Sequence, residues 1–127
     1  MHIDAGKFDA IKKQYSNDDI VSLGIMMFEF VESFMYVHGK IENMIEIIDC
    51  SNINVLTAPY AMLKALMTAI QMLHKCKSRQ IIVLNAPKTI TVIWNVVKQY
   101  LDEVTRNKVS IFHTGISPDL MNLCDER

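Results

Sequence analysis

Residues 80–108 constrain the fold of this 127-residue chain more than any other stretch. They open with the apolar run IIVL at residues 81–84, which is typical of a parallel strand covered by helices on both faces. Pro87 lacks an N–H and pushes Ala86 toward extended geometry, so the strand must end nearby and a helix can begin just beyond. The stretch therefore predicts a central strand, a corner and a helix.

The helix after this corner has one apolar face. Its apolar residues recur at three- and four-residue spacing, namely Ile90, Ile93, Trp94, Val97 and Leu101. Periodicity and composition alone favour ordinary core packing of this face against a sheet, because most apolar stripes on helices are core.

The rest of the chain alternates strands and helices. Ser16 and Asp19 have capping-box spacing, which predicts a helix that begins near Asn17 and whose end is marked by Gly39 and Lys40. The other predicted elements are a strand stub around Ile3, a short helix over residues 7–14, a strand over 43–49, a helix over 60–77, a strand over 109–112 and a last helix capped by Ser117. This order predicts an α/β fold with a mainly parallel sheet of about four strands covered by helices.

Glu46 is the anomaly within the strand predicted at residues 43–49. A carboxylate among Met44, Ile45, Ile47 and Ile48 needs water, a partner or a raised pKa, because an isolated buried charge is very costly. Two interpretations stay open: Glu46 lines a wet cavity, or the strand lies at a sheet edge with Glu46 in solvent.

Composition narrows the class of protein. Half of the residues are hydrophobic and the length suits one domain, which we assign to residues 1–127. Thirteen basic against fourteen acidic side chains offer no footprint for nucleic acid. The three cysteines are odd in number and widely spaced, which indicates a reduced, cytoplasmic protein without a disulfide framework. No apolar run reaches the length of a membrane span, so we expect visits to membrane surfaces only.

Catalysis and metal binding have little support in the sequence. No nucleophile elbow, phosphate-cradling Gly-rich loop or paired His and carboxylate constellation is found. His74 and Cys76 lack the second pair of ligands that a tetrahedral metal site needs. We therefore expect no enzyme activity, no metal and no cofactor.

Three motifs resemble the CRAL-TRIO lipid-binding domains, the family of phosphatidylinositol- and tocopherol-transfer proteins. IIDCSNI at residues 47–53 is similar to the family's strand-and-turn motif IxDxxG, with Asn52 in place of the common glycine. Asn also adopts positive φ, so the turn is retained. LNAP at residues 84–87 is similar to the INxP corner. LDEVTRNKV at residues 101–109 resembles a segment in which a Thr and a Lys contact an inositol lipid head group, here Thr105 and Lys108.

The resemblance implies that the helix carrying Trp94 is a movable gate over a lipid cavity. The implied head-group residues are Thr105, Lys108, Glu46 and Lys77, and the implied pocket and gate residues are Met44, Ile48, Asn85, Ile90, Trp94, Val97 and Leu101. A hydroxyl beside an ammonium suits a phosphodiester, whereas a polar loop before a strand is the plain structural alternative for Thr105 and Lys108. The implied partners are a hydrophobic ligand or phospholipid and, transiently, a membrane surface.

Departures from the family pattern leave the ligand open. Cys76 takes the place of an acidic residue in phosphatidylinositol binders, and Met44 and Glu46 take the places of hydroxyl residues that serve phosphatidylcholine. The chain also matches the family without its amino-terminal helical domain and part of the first strand, so exposed apolar surface would favour a homo-oligomer. The alternative function is a protein-interaction scaffold of CRAL-TRIO or STAS-like type that has no cavity.

Overall fold

A four-stranded parallel sheet forms the centre of the molecule. The computed structural model describes residues 1–57, 60–74, 77–116 and 118–125. Its strands are β1 (His2–Asp4), β2 (Met44–Asp49), β3 (Ser78–Leu84) and β4 (Val109–Ile111), which lie in the order β1-β2-β3-β4. Every neighbouring pair is parallel, as the alternation of elements predicts.

The register of the sheet makes β2 and β3 its inner strands. Ile47 lies opposite both His2 of β1 and Ile82 of β3, and Ile82 in turn lies opposite Ser110 of β4. Ile82 is 0% exposed, as the apolar run of residues 81–84 predicts for a central strand. Because β2 pairs on both sides, the edge-strand interpretation of Glu46 is wrong.

Six helices connect and cover the strands. They are α1 (Phe8–Lys12), α2 (Asn17–Phe34), α3 (Tyr60–Leu73), α4 (Ile90–Val97), α5 (Glu103–Arg106) and α6 (Pro118–Asp125) within the described residues. Short 3-10 turns occupy Ala5–Lys7, Val55–Thr57 and Lys98–Tyr100. The predicted cap at Ser117 and residues 75–76 of the helix predicted over 60–77 lie outside the described residues.

Helix α2 begins where its capping box predicts and ends earlier than expected. The Ser16 hydroxyl accepts from the Asp19 backbone N–H at 3.2 Å, while the Ser16 backbone N–H donates to Asp19 Oδ2 at 3.0 Å. The Ser16 hydroxyl also donates to Asp19 Oδ2 at 2.7 Å, and this bond together with the one from the Ser16 backbone N–H lowers the pKa of Asp19. The predicted end at Gly39 is wrong, because Val37 and Ile41 exchange backbone hydrogen bonds around a tight turn in which Gly39 has φ +73°. The positive φ explains the glycine there.

Helix α2 packs on α3 rather than directly on the sheet. A Cβ placed on Gly24 would lie 2.5 Å from Leu66 Cδ1, so the close approach of the two helices depends on this glycine. Further along, the Phe28 ring stacks on His74 with centroids 5.2 Å apart. Helix α3 ends at Leu73, short of the predicted 77, because the Lys77 carbonyl already accepts from Met44 N–H as the chain enters the sheet.

Candidate functional site

An unfilled apolar cavity of about 190 Å³ lies between one face of the sheet and helices α3 and α4. It is partly open to solvent. The sheet contributes Ile3, Glu46, Ile48, Ile81, Val83, Val109 and Ile111; α3 contributes Leu63, Leu66 and Met67; α4 contributes Ile90, Ile93, Trp94 and Val97. The wall is therefore apolar apart from very few groups.

Strand periodicity explains which residues meet the cavity. Alternate residues of a strand face the same side, which places Glu46 with Ile48 on β2 and Ile81 with Val83 on β3. Ile81 stays half-buried on an inner strand, whereas Ile82 on the opposite face is fully buried. The difference arises because Ile81 borders unfilled space.

Helix α4 roofs the cavity through the apolar stripe that the sequence predicts. Ile90 and Ile93 are buried and Trp94 is half-buried, while Val92 on the outer side is 51% exposed. The Ile90 N–H donates to the Pro87 carbonyl at 2.8 Å, so the helix begins directly at the corner. The roof is shorter than predicted, because the chain passes into a 3-10 turn after Val97 and reaches Leu101 with extended geometry.

Glu46 is the acidic residue of the cavity wall. It is only 7% exposed, and its Oε1 accepts a hydrogen bond from the Ser78 hydroxyl. Burial raises the pKa of Glu46, although the Ser78 hydrogen bond and the amino-terminal ammonium oppose that shift. The wet-cavity interpretation of Glu46 agrees with this placement.

Polar groups surround the back of Glu46. The Lys108 ammonium donates to the Ser78 carbonyl at 2.7 Å, and the Met1 ammonium donates to the Ile45 carbonyl at 2.7 Å. The Lys77 ammonium lies 5.5 Å from the centre of the Tyr36 ring. The pKa of Tyr36 is raised by its burial and by the nearby carboxylates of Glu32 and Glu46.

The structure brings six of the eleven predicted site residues to this cavity. They are Glu46, Ile48, Ile90, Trp94, Val97 and Leu101. Met44 instead lines a second apolar pocket beside α2, together with Met26 and Phe30. Asn85 lies at the carboxyl end of β3, where its Nδ2 donates to Asp49.

The other predicted head-group residues lie outside the cavity wall. They are Thr105, Lys108 and Lys77. The Thr105 hydroxyl donates to Asp102 Oδ2 at 2.8 Å, and Lys108 is held by the Ser78 carbonyl. Their donors therefore serve the fold around β3 and β4 in this conformation. A head-group role for these residues stays a prediction.

Several residues of the cavity wall were not predicted from the sequence. Ile81 and Val83 lie on the central strand, and their spacing to Glu46 depends on the register between β2 and β3. Ser78, the donor to Glu46, precedes the apolar run and resembles an ordinary loop serine. Alternation along β3 was the available signal, but it does not say which face is left unfilled.

Metal sites and membrane-spanning helices would each bear on function. Within the described residues, no group of three His, Cys, Asp or Glu side chains is placed to hold a metal ion. Among those same residues, none of the helices has both the length and the apolar character that a bilayer crossing needs.

The molecule is thus a parallel α/β domain with an apolar cavity under an amphipathic helix. The family model described as the CRAL/TRIO domain matches residues 2–126, so the chain belongs to this family, as its three motifs predict. The family consists of lipid-binding domains.

Comparison with solved structures supports the fold. Twelve chains of solved structures match this chain, and one of them is described as the crystal structure of Sfh5. It superposes with a TM-score of 0.53 at 17% sequence identity, covering 57% of this chain and 26% of that chain. The chain thus spans about a quarter of the Sfh5 structure. Among curated proteins, no sequence matches significantly.

Proposed function

We propose that the chain binds one small hydrophobic molecule in the cavity beneath α4 and that α4 acts as the gate. The observation that carries the proposal is unfilled apolar space bounded by Ile48, Ile81 and Trp94, where a well-packed core would be solid. Apolar cavities of this kind accept apolar ligands, because most of the wall offers water no hydrogen-bonding partner. Binding rather than catalysis follows from such a wall.

The size of the cavity limits what the closed form can hold. Its 190 Å³ is near the roughly 150 Å³ of an engineered apolar cavity that binds benzene, and below the range of about 300–1,000 Å³ for drug-sized ligands. A ring or a short chain fits without rearrangement. A longer lipid requires α4 to move, and this eight-residue helix lies between a proline corner and a 3-10 turn.

Hydrophobic transfer supplies the binding free energy. Each buried methylene contributes about 0.8 kcal/mol, so a six-carbon chain contributes about 5 kcal/mol before association entropy is subtracted. Release at a membrane is favourable for the same reason, since the bilayer solvates the chain equally well. The cavity therefore suits a carrier that exchanges its ligand with a cytoplasmic membrane surface.

The test is a titration of the purified full chain with hexane, followed by the fluorescence of Trp94. Trp94 lines the cavity and is the one tryptophan in the sequence, so its emission reports directly on occupancy. Val97→Phe fills the cavity from its roof and is expected to abolish the saturable response. Val92→Phe makes the same exchange on the exposed side of α4 and is expected to bind normally.

Two results would refute the proposal. One is a wild-type chain that does not respond to hexane, and the other is a Val97→Phe variant that responds as well as Val92→Phe. The first result would favour the scaffold alternative, in which the fold serves protein contacts. Native mass spectrometry of the purified chain complements the titration by revealing a lipid retained during purification.

The head-group role predicted for Thr105 and Lys108 is a separate part of this proposal. It requires both donors to leave their partners, Asp102 and the Ser78 carbonyl, when the gate opens. Lys108→Ala is then expected to weaken binding to vesicles that contain phosphatidylinositol. Equal binding by the variant would remove Lys108 from the site.

Self-association is also proposed from the apolar surface of α2. Met26, Phe30, Phe34 and Met35 are all more than half exposed. Sedimentation velocity over a range of protein concentrations tests this, and a monomer throughout would contradict it.

A further inference from the structure

The cavity wall is apolar apart from Glu46 and Asn54, and Asn54 Oδ1 already accepts from the Leu56 N–H at 3.0 Å. Glu46 projects from β2 between the half-buried Ile48 on its own strand and Ile81 on β3. Glu46 is 7% exposed as a residue, and its Oε1 accepts from the Ser78 hydroxyl. No hydrogen bond to Oε2 is found from the residues that the structure describes, and Oε2 is not one of the sealed-off atoms that lack a partner. An acceptor without a donor is thus left over beside the unfilled space.

No hydrogen bond joins this acceptor to the nearby cations, although the charge of the Met1 ammonium opposes the rise in the pKa of Glu46. The Lys108 ammonium is committed to the Ser78 carbonyl, and the Met1 ammonium to the Ile45 carbonyl. The Lys77 ammonium lies over the Tyr36 ring. None of the three lines the cavity, so the charged wall group that a ligand meets there is a carboxyl.

The chemistry of a lone acceptor selects its ligand. In a mostly apolar wall a carboxyl oxygen without a donor is costly, and a ligand hydroxyl or ammonium would satisfy it. When Glu46 is ionised, a phosphate brings like charge, and its acceptor oxygens find no donor on the carboxylate. The wall therefore favours a ligand with an apolar body and a hydrogen-bond donor at one end.

We infer that Glu46 is the specificity-determining residue of the cavity, and that the ligand is a small apolar molecule whose hydroxyl or ammonium group donates to its carboxyl. This inference rests on the proposed function, because it assumes that a ligand enters the cavity. It names Glu46 as the residue that rejects anionic phosphate head groups. Ser78 is a positioning residue, since its hydroxyl donates to Oε1 and leaves Oε2 as the carboxyl oxygen available to a ligand.

The test compares four six-carbon probes on the full chain by Trp94 fluorescence: hexane, 1-hexanol, hexylamine and hexyl phosphate. Hexane and 1-hexanol differ in the free energy that they need to leave water. This difference cancels when the ratio of the hexane to the 1-hexanol dissociation constant is compared between two proteins. In Glu46→Met, which keeps the volume but removes the acceptor, this ratio is expected to fall about tenfold relative to wild type. Hexyl phosphate is expected to bind wild type at least tenfold more weakly than 1-hexanol.

Glu46→Gln separates the two sources of the donor. Glutamine keeps a carbonyl acceptor but has no charge. If the natural ligand donates through a hydroxyl, the variant is expected to bind 1-hexanol as wild type does. If the ligand donates through an ammonium, only hexylamine is expected to bind more weakly. If Glu46→Met does not fold, the ratio of hexyl phosphate to 1-hexanol dissociation constants is compared between wild type and Glu46→Gln. The costs of leaving water cancel there too, and loss of the charge is expected to lower this ratio; an unchanged ratio overturns the inference.

The outcomes distinguish this inference from the proposed function. An unchanged ratio in Glu46→Met, or hexyl phosphate that binds as tightly as 1-hexanol, overturns the role of Glu46 while hexane binding upholds the cavity. The second of these results would instead favour the head-group role predicted for Thr105 and Lys108. Failure of every probe on wild type refutes the proposed function, and the inference with it.

Discussion

Asn85 donates a hydrogen bond from Nδ2 to Asp49 Oδ1 at 2.9 Å, which ties the corner after β3 to the end of β2. The same Asp49 oxygen accepts from the backbone N–H and the hydroxyl of Ser51. Asn85 has φ +52°, and a Cβ placed on Gly115 would lie 3.1 Å from its Oδ1. Two motifs that carry the family resemblance are thus joined at the carboxyl edge of the sheet, through two residues that do not line the cavity.

The first prediction concerns the stability that Asn85 provides. Asn85→Ala is expected to lower the free energy of unfolding by about 2 kcal/mol, because it loses the Asp49 hydrogen bond and leaves a residue poorly suited to positive φ. Asn85→Gly loses the hydrogen bond but accepts the backbone geometry, so a loss of about 1 kcal/mol is expected. Urea denaturation measures both. A glycine variant no more stable than the alanine variant would show that φ is unimportant here.

The second prediction concerns the acid side of the stability curve. Hydrogen bonds from Asn85 and Ser51 lower the pKa of Asp49 to about 2 from its ordinary 3.8. A lowered folded-state pKa stabilises the fold above pH 3.8, and that contribution is lost as the pH falls toward 2. Asn85→Gly is expected to raise the pKa of Asp49, which NMR titration of its carboxyl carbon measures. An unchanged pKa would assign the shift to Ser51 alone.

Local sequence patterns predicted the helices and strands better than they predicted how these elements pack together. The Ser16 and Asp19 cap, the corner at Pro87 and the apolar run of β3 act within a few residues, so the sequence is sufficient. The ends of α2 and α3 were placed too late, because the turn at Gly39 and the entry of Lys77 into the sheet depend on tertiary contacts.

The cavity was only partly predictable, for a related reason. The stripe on α4 revealed Ile90, Trp94 and Val97, since one helix face is read from spacing alone. The residues of the cavity floor depend on the register between β2 and β3, which sets Glu46 opposite Ile81. The volume that stays unfilled depends on how closely α3 approaches the sheet. No local pattern encodes an unfilled volume.

The third prediction is that Glu46 makes the fold less stable as the pH rises. Burial raises the folded-state pKa of Glu46 above its ordinary 4.5. Above pH 4.5 the unfolded chain ionises this group while the fold still holds the proton, so stability falls until the pH passes the folded pKa. Glu46→Gln removes this dependence, and its free energy of unfolding relative to wild type is expected to rise across that window.

Matched controls isolate the contribution of Glu46. The groups around it belong to several elements, namely Glu32 on α2, Tyr36 after it, Lys77, Ser78, Lys108 and the Met1 ammonium, and all of them are unchanged in Glu46→Gln. Glu29→Gln, on the exposed side of α2, makes the same exchange in solvent and is expected to follow wild type. A constant difference between wild type and Glu46→Gln from pH 4 to 8 would show that the carboxyl is not penalised by burial.

The fourth prediction links the contact between α2 and α3 to the volume of the cavity. In Gly24→Ala the new methyl meets Leu66 Cδ1, the far end of a flexible side chain, and Leu66 lines the cavity on the other side. Leu66 is expected to turn into the unfilled space. The helix propensity gained, about 1 kcal/mol, then offsets much of the overpacking cost, so unfolding changes by less than about 1 kcal/mol.

Binding responds differently, because the displaced Leu66 occupies part of the space that a ligand needs. Gly24→Ala is expected to bind hexane about tenfold more weakly than wild type, which corresponds to about 1.4 kcal/mol. Gly24→Ala combined with Leu66→Ala restores the space and is expected to recover the affinity. Trp94 fluorescence measures both variants. Normal affinity in the single variant, with the same stability, would mean that Leu66 moves away from the cavity and that α2 does not control its volume.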